Sequence, residues 1–196
     1  IHAGGAENIT DAQVQEAINQ LNEDYNGNDV RKDLVFEEFK SLYADIGMSF
    51  VLARKDPQGN PTDGVTRHYA PNEITQFNDA SDQIMKAKYA WPQDKYLNIY
   101  VIRSAGGQSG SAWAFYPSQV DDPSTQDLDG VISSHWAIGR TGTATPTHWK
   151  ILTHEIGHWA NLAHTFENYC AEPGDSVADT PPTLAGSGCD KVWDPC

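Results

Sequence analysis

Basic residues are scarce in this chain. Thirteen Lys and Arg stand against 27 Asp and Glu among 196 residues, a formal net charge of −14. That balance argues against nucleic acid or an anionic membrane surface as the main partner, because both repel an acidic protein. A basic peptide suits the charge better, although acidity alone also keeps a secreted protein soluble. Long apolar runs are missing as well. None approaches the roughly 20 residues that cross a bilayer, so no membrane span is expected. The N-terminus lacks a basic segment followed by an apolar one, so no signal peptide is read there. A secreted chain would have lost it, together with a propeptide, ahead of Ile1. Methionine occurs only at Met48 and Met85, and cysteine only at Cys170, Cys189 and Cys196. An odd number in an oxidising compartment leaves one thiol free or without its partner. The alternative is a set of reduced core thiols. The length fits one substantial core better than two independent domains.

What the chain does have is His154-Glu155-Ile156-Gly157-His158 followed by His164. Helical residues four apart lie about 40° apart around the axis and about 6 Å along it, so His154 and His158 can grip one metal ion from one face. Glu155 is not needed as a ligand, and in this pattern it serves as general base toward a metal-activated water. His164 reaches the same ion only if the helix ends and the chain doubles back. Asn161 is the expected turning point, because its short amide tolerates the left-handed conformation. Three histidines leave a fourth position open on zinc, which separates a catalytic site from a closed structural one. Thr145 and Pro146 read as N-cap and first helical residue. Leu152, Ile156, Trp159, Ala160 and Ala163 would form the packed face opposite the two histidines. The remaining serines and cysteines have no recognisable base partner, so nucleophilic catalysis ranks far below metal chemistry. His2, His68, His135 and His148 have no partner at ligand spacing and read as surface or capping residues.

With this motif read, the chain resembles the metzincin metallopeptidases, and among them the pappalysin (ulilysin-like) family. The likeness rests on His154-Glu155-Ile156-Gly157-His158-Trp159 and His164-Thr165-Phe166. Upstream it rests on Thr10-Asp11-Ala12-Gln13, Leu21-Asn22-Glu23-Asp24-Tyr25, Gly64-Val65-Thr66-Arg67 and Tyr96-Leu97-Asn98-Ile99-Tyr100-Val101. It implies an α/β (α+β) fold: a twisted, mostly parallel sheet with an antiparallel edge strand, a backing helix, the active-site helix, and an irregular C-terminal subdomain. Residues 1–164 would form the upper catalytic subdomain and 165–196 the start of the lower one. The resemblance also implies extracellular endopeptidase activity on a peptide or protein substrate, synthesis as a zymogen, catalytic zinc and structural calcium. Asp175, Asp179 and Thr180 match the calcium-binding segment, and Cys170 would pair with Cys196. Both methionines precede the motif, so the family's Met-turn has no counterpart among these residues. A processed, nicked or truncated polypeptide is the corresponding expectation.

Elsewhere, Thr10 and Gln13 read as a capping box ahead of a stripe at Val14, Ala17, Ile18, Leu21 and Tyr25. Strands are expected over 48–53, 65–68 and 96–102, with a shorter one at Val131-Ile132 and only a short helix within 73–89. Trp113, Ala114 and Phe115 correspond to the edge strand above the cleft in the resembled family. Such an edge can add an extended substrate through main-chain hydrogen bonds, or be an edge with no ligand. Asp121, Asp122, Asp127 and Asp129 suggest either a calcium loop or a solvated acidic one. Two rival functions keep the metal: hydrolysis of a non-peptide amide, and a zinc-stabilised binding module in which a fourth protein ligand closes the site.

Overall fold

The computed structural model describes residues 1–29, 31–71, 79–105 and 111–185. Helix α1 (Asp11–Tyr25) begins where the Thr10 hydroxyl accepts the Gln13 N–H at 3.2 Å. Its stripe then buries Ala17, Leu21 and Tyr25, with Val14 and Ile18 packed beside them. Complete burial of a side chain such as Leu21 contributes about 1.5–3 kcal/mol. The capping box expected here is only half made. Instead of turning back to Thr10, the Gln13 amide donates to the carbonyls of His135 and Ile138, both at 3.0 Å. Its oxygen accepts the Thr143 N–H at 3.0 Å. A buried amide must satisfy all its polar atoms, and the 135–143 loop offers partners that an exposed cap does not.

The sheet among the described residues has three strands in the order β1 (Ile99–Ile102), β3 (Val131–Ser134), β2 (Ala112–Ala114). β1 runs parallel to β3, and β2 is the antiparallel edge. Along β1 the side chains alternate between two layers. Ile99 and Val101 pack with the cluster formed by α1 and the zinc-motif helix, while Tyr100 and Ile102 join Met85, Ala105 and Ile132 on the other face. That second face is covered by α2 (Asp79–Tyr89), an 11-residue helix, and a four-residue helix, α3 (Pro117–Val120), follows β2. The register of β3 is fixed at its entry by Gly130, whose φ is +101°; a Cβ there would lie 2.7 Å from the Asn98 carbonyl oxygen.

The sheet is smaller than expected from sequence. Residues 48–53 form no ladder; the Asn22 side chain occupies both Phe50 backbone groups, at 2.8 and 2.9 Å. Residues 65–68 likewise form none: the Arg67 guanidinium clamps Asn8, the Ile9 carbonyl and Asp11, and the nearest pairing is a single parallel bridge from His2 to Tyr69. The strand expected over 96–102 is confined to its last four residues. No helix among the described residues is long and apolar enough to cross a membrane.

Candidate metal centre

Helix α4 (Ile151–Trp159) carries the first two histidines, and it starts later than its sequence suggests. Thr145 and Pro146 do not open it. They form a separate turn closed by the His148 N–H to the Thr145 carbonyl at 3.0 Å, with Pro146 in the second position, which its fixed φ favours. Lys150 precedes the helix and its ammonium is held by Asp24 and Asp29. The Tyr25 hydroxyl donates to the Thr153 carbonyl at 2.9 Å. These bonds fix the helix against α1. On its inner face Leu152 and Ile156 are buried, and Trp159 is half-buried with its indole N–H on Asp129 at 2.8 Å. Ala160, expected on the packed face, is exposed, because the helix ends there and the chain turns away.

That ending is what makes the site. Asn161 has φ +73°. Its N–H bonds the His158 carbonyl, and the Leu162 N–H bonds the Gly157 carbonyl, both at 2.8 Å. This crossed pair is a Schellman motif, which reverses the chain around a left-handed residue. The reversal delivers His164 to the ligand face. His158 Nε2 lies 2.9 Å from His154 Nε2 and 3.1 Å from His164 Nε2.

The protonation pattern explains what such closeness requires. His158 Nδ1 lies 2.7 Å from the Leu162 carbonyl oxygen, which only accepts, so Nδ1 carries the hydrogen. His164 Nδ1 likewise donates to Glu167 at 3.0 Å. In the neutral rings both Nε2 atoms therefore present lone pairs, and at 3.1 Å two lone pairs repel unless a cation lies between them. Ligand nitrogens around a tetrahedral zinc are about 3.3 Å apart, and the His158 separations from His154 and His164, 2.9 and 3.1 Å, come within a few tenths of an ångström of that spacing. Burial, and then the neighbouring imidazoles His158 and His164, push the His154 pKa down, which keeps a ligand neutral. Among the described residues these three histidines are the one group of three or more His, Cys, Asp or Glu close enough to hold a metal ion.

Glu155, beside His154 in the helix, takes a hydrogen bond from the Ala114 backbone of β2. It is 8% exposed, and burial pushes its carboxyl up to about 7 while a hydrogen bond from the Ala114 backbone pulls it down. The edge strand expected at Trp113, Ala114 and Phe115 is present as β2, one residue earlier, with Phe115 just beyond it. Tyr116 follows and sets its ring edge-on to His158, 5.2 Å between centroids. Phe166 stacks on His164 at 4.6 Å. Glu167 and Tyr116 were not singled out from sequence. The signal for Glu167 was its place three residues after His164, where a carboxylate can reach back to an imidazole.

The other expected sites are less assembled. Asp175 accepts the Val177 N–H at 2.9 Å, and Asp179 is exposed. Of the acidic loop residues, Asp122 caps Ser124 and Asp129 turns inward to Trp159. Cys170 is disulfide-bonded, and both candidate partners, Cys189 and Cys196, lie outside the described residues.

Two imidazoles and a buried glutamate on one short helix, a third imidazole delivered by the turn after it, and an antiparallel edge strand beside them form a candidate metallopeptidase centre. The peptidase M43 family, described as pregnancy-associated plasma protein-A, matches residues 78–192. An extracellular metalloprotease of Podospora anserina is 31% identical over 165 residues, covering 82% of this chain and 51% of that protein. Extracellular metalloprotease 1 of Coccidioides posadasii is 31% identical over 195 residues, covering 96% and 57%. Among solved structures, mature mirolysin of Tannerella forsythia in complex with a cleaved peptide superposes with a TM-score of 0.82 at 31% identity, covering 93% of this chain and 68% of that one. Promirolysin from the same organism gives 0.79 at 29% identity, covering 91% and 59%. The chain belongs to the M43 family of metalloproteases, the pappalysins, and has their metzincin fold. It spans about half the length of the curated relatives it matches.

Proposed function

We propose that this chain carries the catalytic centre of a secreted zinc endopeptidase, with zinc held by His154, His158 and His164 and Glu155 as general base. The observation that carries this reading is the convergence of the three Nε2 atoms while two of the Nδ1 atoms are held as donors by Leu162 and Glu167. Zinc, when bound, supplies Lewis acidity that acidifies water and polarises a carbonyl. Glu155 takes the proton of the attacking water and passes it to the leaving amine, so no covalent intermediate is needed. Its burial against Ala114 keeps bulk water off that proton path.

β2 is the proposed upper rail for substrate. It pairs with β3 on one side only among the described residues, and its other edge can hold an extended peptide by main-chain bonds that ignore sequence. Trp113, Ala114 and Phe115 would serve substrates of many sequences in one geometry. The extracellular relatives and the existence of a pro-form of mirolysin support export and removal of an N-terminal propeptide. Calcium at Asp175, Asp179 and Thr180 is proposed on the chemistry of hard oxygen ligands, together with a division into an upper subdomain 1–164 and a lower one from 165.

Glu155→Ala should abolish cleavage of a denatured protein while zinc per chain stays near one; His158→Ala should lose both. Normal turnover by the Glu155 variant with stoichiometric zinc would overturn the mechanism. Turnover confined to small non-peptide amides would replace the peptidase reading with an amidohydrolase one.

A further inference from the structure

Lys86 and Asp82 on α2 are both fully buried, with Nζ 3.3 Å from the carboxylate. Burying an ion pair is expensive, and apolar residues of like volume often stabilise a fold as well or better. The cost calls for a geometric return, and the partners of the pair indicate which. The Lys86 ammonium donates to the Leu128 carbonyl and, at 3.1 Å, to the Gly130 carbonyl, so it grips both ends of the loop that leads into β3. Asp129, between those two residues, takes the Trp159 indole N–H of α4. The Asp82 carboxylate accepts the Trp113 indole N–H at 3.3 Å, and the Phe115 ring lies 5.2 Å from the ammonium. Residues 113 and 115 are two apart and so share one face of the β2 segment, the face toward α2. Ala114 packs into the core on the opposite side and its backbone N–H meets Glu155.

We infer that the buried Asp82–Lys86 pair is a positioning device for the substrate rail: it anchors Trp113 and Phe115 from behind and ties the β3 entry loop to α4, thereby setting the height and register of β2 over the zinc site. Neither residue touches substrate. The inference rests on the proposed role of β2, and the test separates the two.

The kinetics of wild-type protein are measured first on a dipeptide amide and on an extended octapeptide. A kcat/KM that does not rise with length would remove the rail itself. With the rail established, the charge-free pair Asp82→Leu/Lys86→Met, which avoids leaving one buried charge unpaired, is compared at equal zinc content. The expected result is a KM for the octapeptide raised about three- to tenfold, the loss of one or two main-chain hydrogen bonds, with kcat on the dipeptide changed by less than about twofold. A merely structural pair would lower the melting temperature or the zinc-loaded fraction and leave the octapeptide KM unmoved; that outcome overturns the proposal. Should the double variant not fold, Trp113→Phe removes only the indole link, and it must raise the octapeptide KM in the same direction. An unchanged KM there also overturns it.

Discussion

Asn161→Val isolates the turn on which the metal site depends. At φ +73° the asparagine occupies the left-handed region, where a β-branched side chain costs about 1–2 kcal/mol relative to residues that tolerate it. Nothing else in the site is altered: the N–H groups that close the Schellman turn belong to the backbone, and Asn161 itself is exposed. The strain is relieved if the chain leaves the turn, and His164 then leaves the ligand face with it. If the cost falls entirely on the bound geometry, zinc affinity weakens by about 5- to 30-fold, since each 1.4 kcal/mol is a factor of ten. Asn161→Gly, which is unstrained at that φ, should bind like the parent. The assay is a competition titration against a chromophoric chelator, with circular dichroism to show that all three proteins are folded. Equal zinc affinity for the Val and Gly variants would refute the argument that residue 161 gates the third ligand.

Glu167→Ala removes the acceptor of the His164 Nδ1–H, and metal affinity should fall about tenfold, at the low end for such a partner because Glu167 is half exposed; Glu167→Gln, which keeps an acceptor oxygen, should recover most of it in the same titration. Burial opposes ionisation of Glu7, but the N–H groups of Ala3 and Gly5 and the Arg103 guanidinium outweigh it and hold the carboxyl at about 2 against an ordinary 4.5. A depressed folded-state value means stability that is fully present above 4.5 and lost as pH falls toward 2, at most about 3 kcal/mol. Urea unfolding midpoints from pH 6 to pH 3 should therefore drop less steeply in Glu7→Gln than in the parent, and parallel curves would exclude the linkage. Lys150→Met leaves Asp24, 4% exposed, without its cation and should destabilise the fold by about 1–3 kcal/mol in thermal melts.

The grouping of the three histidines was largely legible in sequence because its information is local. The four-residue spacing of His154 and His158, the left-handed tolerance of Asn161 and the return to His164 all lie within 11 consecutive residues, where helix geometry decides the outcome. The antiparallel edge strand was legible only through family likeness. What sequence missed depends on distant partners. Pro146 reads as a helix start until the Thr145–His148 turn and the Lys150 pairs with Asp24 and Asp29 move the start to Ile151. Residues 48–53 have strand composition, yet one side chain, Asn22, takes the backbone groups a neighbouring strand would need. A cap residue, Gln13, became a cross-link through contacts more than 120 residues away. Propensity cannot report any of these, because each is settled by a competition for hydrogen bonds that only the assembled chain presents.

The same distant partners bear on what zinc does for the fold. An isolated nine-residue helix is unstable in water, so α4 must be held by its surroundings. It is held on two sides without any metal: Lys150 and Thr153, both on Asp24, and Tyr25 bind it to α1, and Trp159 binds it to the β3 entry loop through Asp129. Leu152 and Ile156 fill the core between. A structural zinc site, by contrast, unfolds when the ion is removed. Chelation of this protein should therefore abolish activity and release the 161–164 turn, while the amide protons of His154 to Gly157 stay protected in hydrogen exchange and far-UV dichroism changes little. The reversal that brings in His164 has no such ties among the described residues and is set against lone-pair repulsion that the ion relieves. Rapid exchange throughout α4 after chelation would mean that the metal holds the helix, and that the ties to α1 and Asp129 do not.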